Sequence, residues 1–205
     1  MDSLALTFTS GWASGVNAYL VVLVLGLGDR LGADSVVGEV PDVLARWDVL
    51  AVAGLLYVVE FVADKIPLVD STWDAISTVI RPTAGAVIGV LLAGDADSLG
   101  QALNAAVGGG TALVSHVVKS GTRLAINTSP EPVTNITASV VEDVVVLVLV
   151  AFAIRHPVAA ASVAAVLLVL GLVLLVLSIK LVRRGWRRFR AWRERRASGR
   201  DVERR

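Results

Sequence analysis

Residues 158–182 read VAAASVAAVLLVLGLVLLVLSIKLV, and the only charged residue among them is Lys180. A helix needs about 20 apolar residues to cross a bilayer core of about 30 Å, and this stretch exceeds that length. The lysine near its end can extend its ammonium group to the lipid headgroups. The stretch therefore predicts a membrane-spanning helix, and the rest of the chain is interpreted from it outward.

The segment RRGWRRFRAWRERR follows directly at residues 183–196. Residues 180–205 contain twelve Lys and Arg against three Asp and Glu, whereas residues 1–179 contain seven against fifteen, so the net charge of +1 divides into +9 and −8. Basic residues beside a span favour the cytoplasmic side. We therefore interpret residues 183–205 as a basic cytoplasmic tail that contacts anionic lipid headgroups, and not as a nucleic-acid-binding arm.

The composition narrows the class of protein. Of 205 residues, 55% are hydrophobic and 18% charged, and there is no cysteine. Soluble domains carry about 25% charged residues, so an ordinary soluble enzyme is disfavoured. The lack of cysteine excludes a disulfide scaffold and a thiolate metal site. With two histidines, His116 and His156, a zinc site is disfavoured as well.

Five further apolar stretches predict spans, at residues 4–28, 49–66, 70–94, 101–119 and 136–154. The third is expected to bend at Pro82, which removes a helix hydrogen bond. The prediction is an all-α integral membrane protein with six transmembrane helices in one polytopic domain, residues 1–182. An even number of spans and a cytoplasmic tail place both termini in the cytoplasm, with the protein in the cell (inner) membrane.

Two parts of this domain resemble each other. Arg30-Leu31 and Arg123-Leu124 each end a glycine-containing stretch, and each is followed by Val-Val-Glu, at 58–60 and 140–142. Three spans per half would insert the halves, 1–95 and 96–182, in opposite directions, as in secondary transporters built from inverted repeats with broken helices. The alternative is coincidence in a chain rich in valine and glycine.

Charged side chains within the spans are the candidate functional residues, because such residues are costly in lipid and mark substrate pathways. Glu60 and Asp64 are four residues apart and share a helix face. The spacing of His116, Lys119 and Arg123 predicts a cationic stripe on one face of the fourth span. Glu142 and Asp143 are adjacent and must point in different directions. The alternative to a pathway is an internal ion-pair network between Glu60 or Glu142 and Lys119 or Arg123.

Two polar or glycine-rich points predict helix breaks along the same pathway. Asn17 lies mid-span, close to Gly15, where an unwound turn would expose backbone dipoles to a solute. Gly109 is the centre of three consecutive glycines, which cost about 3 kcal/mol of helix propensity. Close helix packing through small residues is the alternative reason for both.

Three carboxylates near the end of the second span form a candidate metal site. Asp64, Asp70 and Asp74 would offer the oxygen ligands that Mg²⁺ prefers, and the ion would hold a phosphate at the membrane surface. The alternative is that Asp70 caps the next helix and Asp74 stabilises its first turn. Apart from this Mg²⁺, the sequence predicts no cofactor.

Several polar motifs occur together in one order: SGVNAYL at 14–20, VEFVADKIPLVDSTWD at 59–74, IRPTAGA at 80–86, and SHVVKSGTRLAINTSPEP at 115–132. In these the chain resembles a bacterial family of multi-pass membrane proteins, domain of unknown function 4126, over roughly residues 10–157. The basic tail lies outside the resemblance. The family brings no established activity, so the resemblance implies a membrane fold and assigns no role to any residue.

The residues therefore favour a small transporter or channel, in which the charged residues, with Asn17 and Gly109 at the breaks, line a pathway for a small solute or ion. Such a small bundle is expected to form a homo-oligomer. A membrane enzyme acting on lipid headgroups through the aspartate site is one alternative. A non-catalytic lipid-binding or assembly protein, contacting membranes through its tail, is the other.

Overall fold

The computed structural model of the chain describes residues 2–32, 40–66, 69–126 and 132–202. These residues form seven helices and, within those ranges, no strand, so the all-α prediction is confirmed. The helices are α1 (Asp2–Arg30), α2 (Asp42–Ala45), α3 (Trp47–Ala63), α4 (Val69–Ala93), α5 (Ser98–Ile126), α6 (Pro132–Arg155) and α7 (Pro157–Val202). Most tail side chains, including those of 191–205, lie outside the described part, so the predicted lipid contacts there stay a prediction.

Four helices are long and apolar enough to cross a membrane, which makes this a multi-pass helical membrane protein. They are Asp2–Arg30, Val69–Ala93, Ile136–Arg155 and Pro157–Arg187. The last has a mean hydropathy of 3.0, and 6% of its most apolar stretch is buried inside the protein, as expected of a helix surrounded by lipid. Helices occupy all six predicted positions, but α3, with 17 residues, and the more polar α5 are not among these four.

Close backbone contacts fix the direction of α1, α4 and α5. Gly11 lies against Gly108 and Gly15 against Ala112, so α1 and α5 run in the same direction. Gly85 lies against Gly108 and Gly89 against Asn104, so α4 runs opposite to both. A Cβ at Gly85 would stand 2.6 Å from the Gly108 carbonyl oxygen. Glycine at these positions is what permits the backbones to touch.

This packing does not match the predicted inverted repeat. Inverted halves need their first long helices to run in opposite directions. Here α1 begins the first half and α5 the second, and the two are parallel. The matching arginines also differ in surroundings, since Arg30 donates to the Ala45 carbonyl whereas Arg123 lies among carboxylates. Short sequence matches in a valine- and glycine-rich chain explain the similarity.

The two ends of the chain lie at opposite ends of the bundle. Gly171 packs on Val118 and Gly121 on Leu175, so α7 runs parallel to α5 and therefore to α1. The Ser3 hydroxyl donates to the Leu92 carbonyl at 2.8 Å, which places the start of α1 beside the end of α4. Both termini cannot then share one side of a membrane that α1 and α7 cross. The prediction of two cytoplasmic termini is wrong on this packing, because it assumed that six helices cross in strict alternation.

One of the two predicted helix breaks is present. Asn17 has extended backbone angles (φ −153°, ψ 97°) inside α1, which divides the helix into α1a (residues 2–16) and α1b (residues 18–30). The predicted break at Gly109 is wrong, because α5 continues from Ser98 to Ile126. Gly108 and Gly109 serve close packing instead, since a Cβ at Gly109 would stand 3.1 Å from the Ala86 Cβ. α4 likewise continues through Pro82.

Candidate functional site

The charged residues predicted for the pathway come together around the break in α1. Glu60, Asp64, His116, Lys119, Arg123 and Asp143 are each at most 6% exposed. Glu142, at 25% side-chain exposure, is the member that reaches the surface. Burial of all three residues of the α5 stripe shows that it faces the interior of the bundle and not the headgroups.

Arg81 of α4 joins one side of this cluster. Its guanidinium lies 2.5 Å from a Glu60 carboxylate oxygen and 3.3 Å from an Asp74 carboxylate oxygen. The same group donates to the Gly15 carbonyl of α1a at 3.3 Å and contacts His116 Nδ1 at 2.8 Å. A planar fork of five N–H donors suits this arrangement, in which one side chain joins α1, α3, α4 and α5.

Lys119 and Arg123 join the other side. The Lys119 ammonium lies 2.9 Å from Asp64 and within 4 Å of Glu60 and Glu142. Arg123 lies 3.0 Å from Asp64 and 2.7 Å from Glu142. The ion pairs of the alternative interpretation are thus present, and they form one connected set. We call this set, Glu60, Asp64, Asp74, Arg81, Lys119, Arg123 and Glu142, the charge network.

The charge network has more carboxylates than cations. Three cations face four carboxylates across its ion pairs. Asp143, 6% exposed, adds a fifth carboxyl group beside the network without an ion pair to it among the described residues. Uncompensated charge is expensive where dielectric is low, so a proton or a cation would stabilise this interior.

The break in α1 is stabilised by side-chain hydrogen bonds on both of its sides. The carbonyl groups that end α1a accept hydrogen bonds from other helices, Val16 from Lys119 at 2.8 Å and Gly15 from Arg81. Cations at the carbonyl end of a helix interact favourably with its dipole. On the other side, Asn17 Oδ1 accepts from the Leu20 amide at 3.0 Å and caps the start of α1b.

The same asparagine holds Asp143. Its Nδ2 donates to Asp143 Oδ1 at 3.0 Å, and both residues are buried. The adjacent Glu142 points instead to Arg123, so the two neighbours diverge as the helix geometry requires. The backbone dipoles expected to meet a solute at Asn17 are therefore bonded to side chains of the protein itself.

His116 is a neutral link between α4 and α5. A guanidinium only donates, so Nδ1, 2.8 Å from Arg81, is an acceptor and the proton is on Nε2. Nε2 then donates to the Thr78 hydroxyl at 3.0 Å, and that hydroxyl donates to the Asp74 carbonyl at 3.0 Å. The geometry assigns His116 a positioning role for Arg81.

The predicted metal site is not assembled. Among the described residues, no three His, Asp or Glu side chains are grouped to hold a metal ion. Asp64 contacts Lys119 and Arg123, and Asp74 contacts Arg81. Asp70 lies in the first turn of α4 and accepts from the Ser71 amide at 2.6 Å. Cationic side chains occupy the positions around Asp64 and Asp74 that a metal would need.

Sequence reasoning missed Arg81 as a site residue. It lies at the middle of α4 (Val69–Ala93) and is 1% exposed. Asp74, Thr78 and Arg81 are spaced i, i+4, i+7 and share one helix face. That spacing is the signal in the sequence that could have identified Arg81.

Residues 4–177 match the family described as Domain of unknown function (DUF4126), and the chain belongs to that family. The match includes every residue of the charge network, together with Asn17 and Asp143, and leaves out the basic tail. No curated protein and no solved structure matches the chain.

Proposed function

We propose that this protein is a small membrane transporter or channel for an ion or small solute, and that the charge network lines its pathway. The observation that carries the proposal is the burial, around a broken helix, of one connected set of ionisable side chains from four helices. Ionisable residues at membrane depth are rare, and they are a common feature of pathways for ions and polar solutes.

The excess of carboxylates favours a pathway over a purely structural network. A network that only holds helices together is most stable when its charges balance. Here three cations face four carboxylates, with Asp143 beside them. The site therefore favours a positively charged species, a proton or a cation, as the ion that moves or that couples transport.

The pathway is closed in this conformation. Glu60, Asp64 and Arg81 are each 1% exposed, so transport requires helix movement. The extended residue at Asn17 is the point at which α1b can move relative to α1a, since a broken helix bends at lower cost than a continuous one. Glu142, the partly exposed member, is the entrance on the side of the network nearest the ends of α3 and α5.

The helix directions support five crossings of the membrane, by α1, α4, α5, α6 and α7. The end of α1 and the start of α4 then lie on the same side of the membrane, so α3, which lies between them in the chain, does not cross it. The basic tail then lies in the cytoplasm. The start of α1 and the 94–97 connection lie outside, and their charged residues Asp2, Asp95 and Asp97 are acidic. This arrangement in the cell membrane agrees with the excess of Lys and Arg in cytoplasmic segments.

Two kinds of partner accompany this function. The tail contacts anionic lipid headgroups, and Trp186, 61% exposed, suits the interface. A second copy of the chain packs on the apolar outer face of α3, where Val52, Leu55 and Val62 are 51–66% exposed.

The test is ion flux in proteoliposomes that contain the purified protein. Glu60→Gln and Lys119→Ala are expected to lower the flux at least tenfold, and Lys119→Arg is expected to retain part of it. The matched control is Asp48→Asn, because Asp48 is 62% exposed and outside the network. Thermal unfolding in detergent shows which variants fold. Folded network variants with wild-type flux for protons and for each ion tested would refute the pathway.

A further inference from the structure

Asp143 is bonded differently from the buried carboxyl groups of the charge network. Its Oδ1 accepts one hydrogen bond from a neutral amide, Asn17 Nδ2, at 3.0 Å. Its Oδ2 is buried and has no hydrogen-bond partner within the described ranges. By contrast, Glu60, Asp64 and Asp74 each contact a cation.

These contacts suit a carboxylic acid better than a carboxylate. A buried carboxylate with one neutral donor keeps an unbalanced charge, which costs several kcal/mol in a medium of low dielectric. A proton on Oδ2 removes that charge and leaves Oδ1 as the acceptor for Asn17. The charge count of the surrounding cluster, in which carboxylates exceed cations, points the same way.

Three buried serines lie along the helices that meet at Asp143. Ser139 precedes it by one turn on α6, and Ser14 and Ser10 precede Asn17 on α1a. Each is at most 1% exposed, and none of the three hydroxyl oxygens has a partner in the part of the chain that the structure describes. By contrast, seven other helical hydroxyls donate to the carbonyl four residues earlier, those of Thr9, Thr78, Thr83, Thr111, Ser120, Thr122 and Ser162.

The serines of α1a belong to a row of polar side chains. Residues 3, 7, 10, 14 and 17 are spaced three and four apart, so they lie on one face of the helix. Ser3 is at the end of the bundle, where it donates to the Leu92 carbonyl, and Thr7 donates to Asn104. The row thus leads from the outer end of α1 to the Asn17–Asp143 pair.

A row of hydroxyls is suited to a proton rather than to a metal cation. The hydroxyls of Ser10 and Ser14 have no partner among the described residues in this closed conformation. Because a hydroxyl both donates and accepts, the row can pass a proton once water or helix movement links its members by hydrogen bonds. A sodium site at a broken helix uses carbonyl groups freed by the break. Here the carbonyls of Trp12, Gly15 and Val16 accept from Ser115, Arg81 and Lys119.

Resting on the proposed function, we infer that the moving ion is a proton and that Asp143 is the carboxyl group that carries it. A proton arriving along the row of hydroxyls forms an O–H bond on Oδ2, and its release towards Glu142 restores the carboxylate. No oxidant or other reactant is needed. The ionisable groups that interact electrostatically with Asp143 are Asp64, Lys65 and Tyr57 of the α3 region and Lys119 of α5. Residues 157–179 of α7 include no ionisable side chain.

The first test is proton flux into proteoliposomes with an entrapped pH-sensitive dye, driven by a potassium diffusion potential. Asp143→Asn is expected to lower the flux at least tenfold, Ser14→Ala several-fold, and Asp143→Glu is expected to retain activity. Asp48→Asn is the matched control. Asp143→Asn is expected to fold, because an amide at this position still accepts from Asn17, and thermal unfolding checks this.

The second test does not depend on transport. Dicyclohexylcarbodiimide reacts with protonated carboxyl groups in apolar surroundings, so mass spectrometry should find its adduct on Asp143, with a yield that falls as pH rises. No adduct at Asp143, or wild-type proton flux that Asp143→Asn leaves unchanged, overturns the inference while the proposed function stands. Absence of flux for protons and every other ion in the wild type overturns both.

Discussion

Exchanging the two members of the Asn17–Asp143 pair tests whether their hydrogen bond holds α6 to the break in α1. The bond is 3.0 Å long and both side chains are buried. In Asn17→Asp the side-chain oxygen that caps Leu20 is kept, but the donor is lost and two carboxyl groups face each other. With Asp143 as a neutral carboxyl group, the lost hydrogen bond contributes about 0.5–1.5 kcal/mol, and the second buried carboxyl group facing it adds to the cost, so we expect a loss of about 1–3 kcal/mol.

The companion variant and the double variant complete the cycle. Asp143→Asn keeps an amide-to-amide hydrogen bond, and we expect it to cost about 1 kcal/mol or less. The double variant restores one amide and one carboxyl group with donor and acceptor exchanged. Its cost should therefore be smaller than the sum of the two single costs by about 1–2 kcal/mol.

The stability of Asn17→Asp should also depend on pH. The two facing carboxyl groups of the folded variant bind more protons than the single Asp143 of the folded wild type, and the unfolded chain releases them at neutral pH, so the variant loses stability more steeply than the wild type as pH rises. We expect its deficit to be larger at about pH 8 than at about pH 5.

The assay is unfolding in detergent micelles, followed by the fluorescence of Trp12 and the other tryptophans. Trp12 is 8% exposed and lies close to the break. The reasoning is refuted if the costs of the single variants add to within about 0.5 kcal/mol of the double variant, since independent sites behave in that way.

Three further predictions follow from the packing. Gly85→Ala should destabilise the protein by about 1–3 kcal/mol, because the added Cβ would meet the Gly108 carbonyl. Gly110→Ala should be neutral or stabilising by up to about 1 kcal/mol, because nothing lies within 4 Å of the added Cβ and α5 is continuous there. Chemical unfolding compares the stabilities of the two variants. Arg81→Lys should lower the free energy of unfolding by about 2–4 kcal/mol, because one ammonium group cannot reach Glu60, His116 and the Gly15 carbonyl together. Thermal unfolding tests this, and a variant as stable as the wild type would contradict it. The chain has no cysteine, so Asp2→Cys and Gly185→Cys can each be labelled alone with a membrane-impermeant maleimide. We expect the two cysteines to be labelled from opposite sides of the membrane. Labelling of both from the same side would restore the prediction of two cytoplasmic termini.

Local sequence was sufficient where one helix decided the outcome. The apolar run at 158–182 predicted a spanning helix because lipid leaves a helix few alternatives to bonding its own backbone. The break at Asn17 was predicted correctly, and the break at Gly109 was not. Propensity disfavours glycine in a helix by about 1 kcal/mol, but α4 packs so closely on α5 that Gly108 and Gly109 are required there.

Sequence by itself determined that this chain is a helical membrane protein and which stretches form its helices, and it pointed to most of the charged side chains that the bundle buries. Length, hydropathy and helical spacing are properties of one segment, so they can be read from it alone. Only the tertiary structure decided which charge meets which, that Arg81 belongs to the network, that Asp64, Asp70 and Asp74 do not gather around a metal, and that the first and last helices are parallel. Those outcomes depend on how helices pack across distances of 20–100 residues in the chain, where contact is set by small residues and charge partners on other helices.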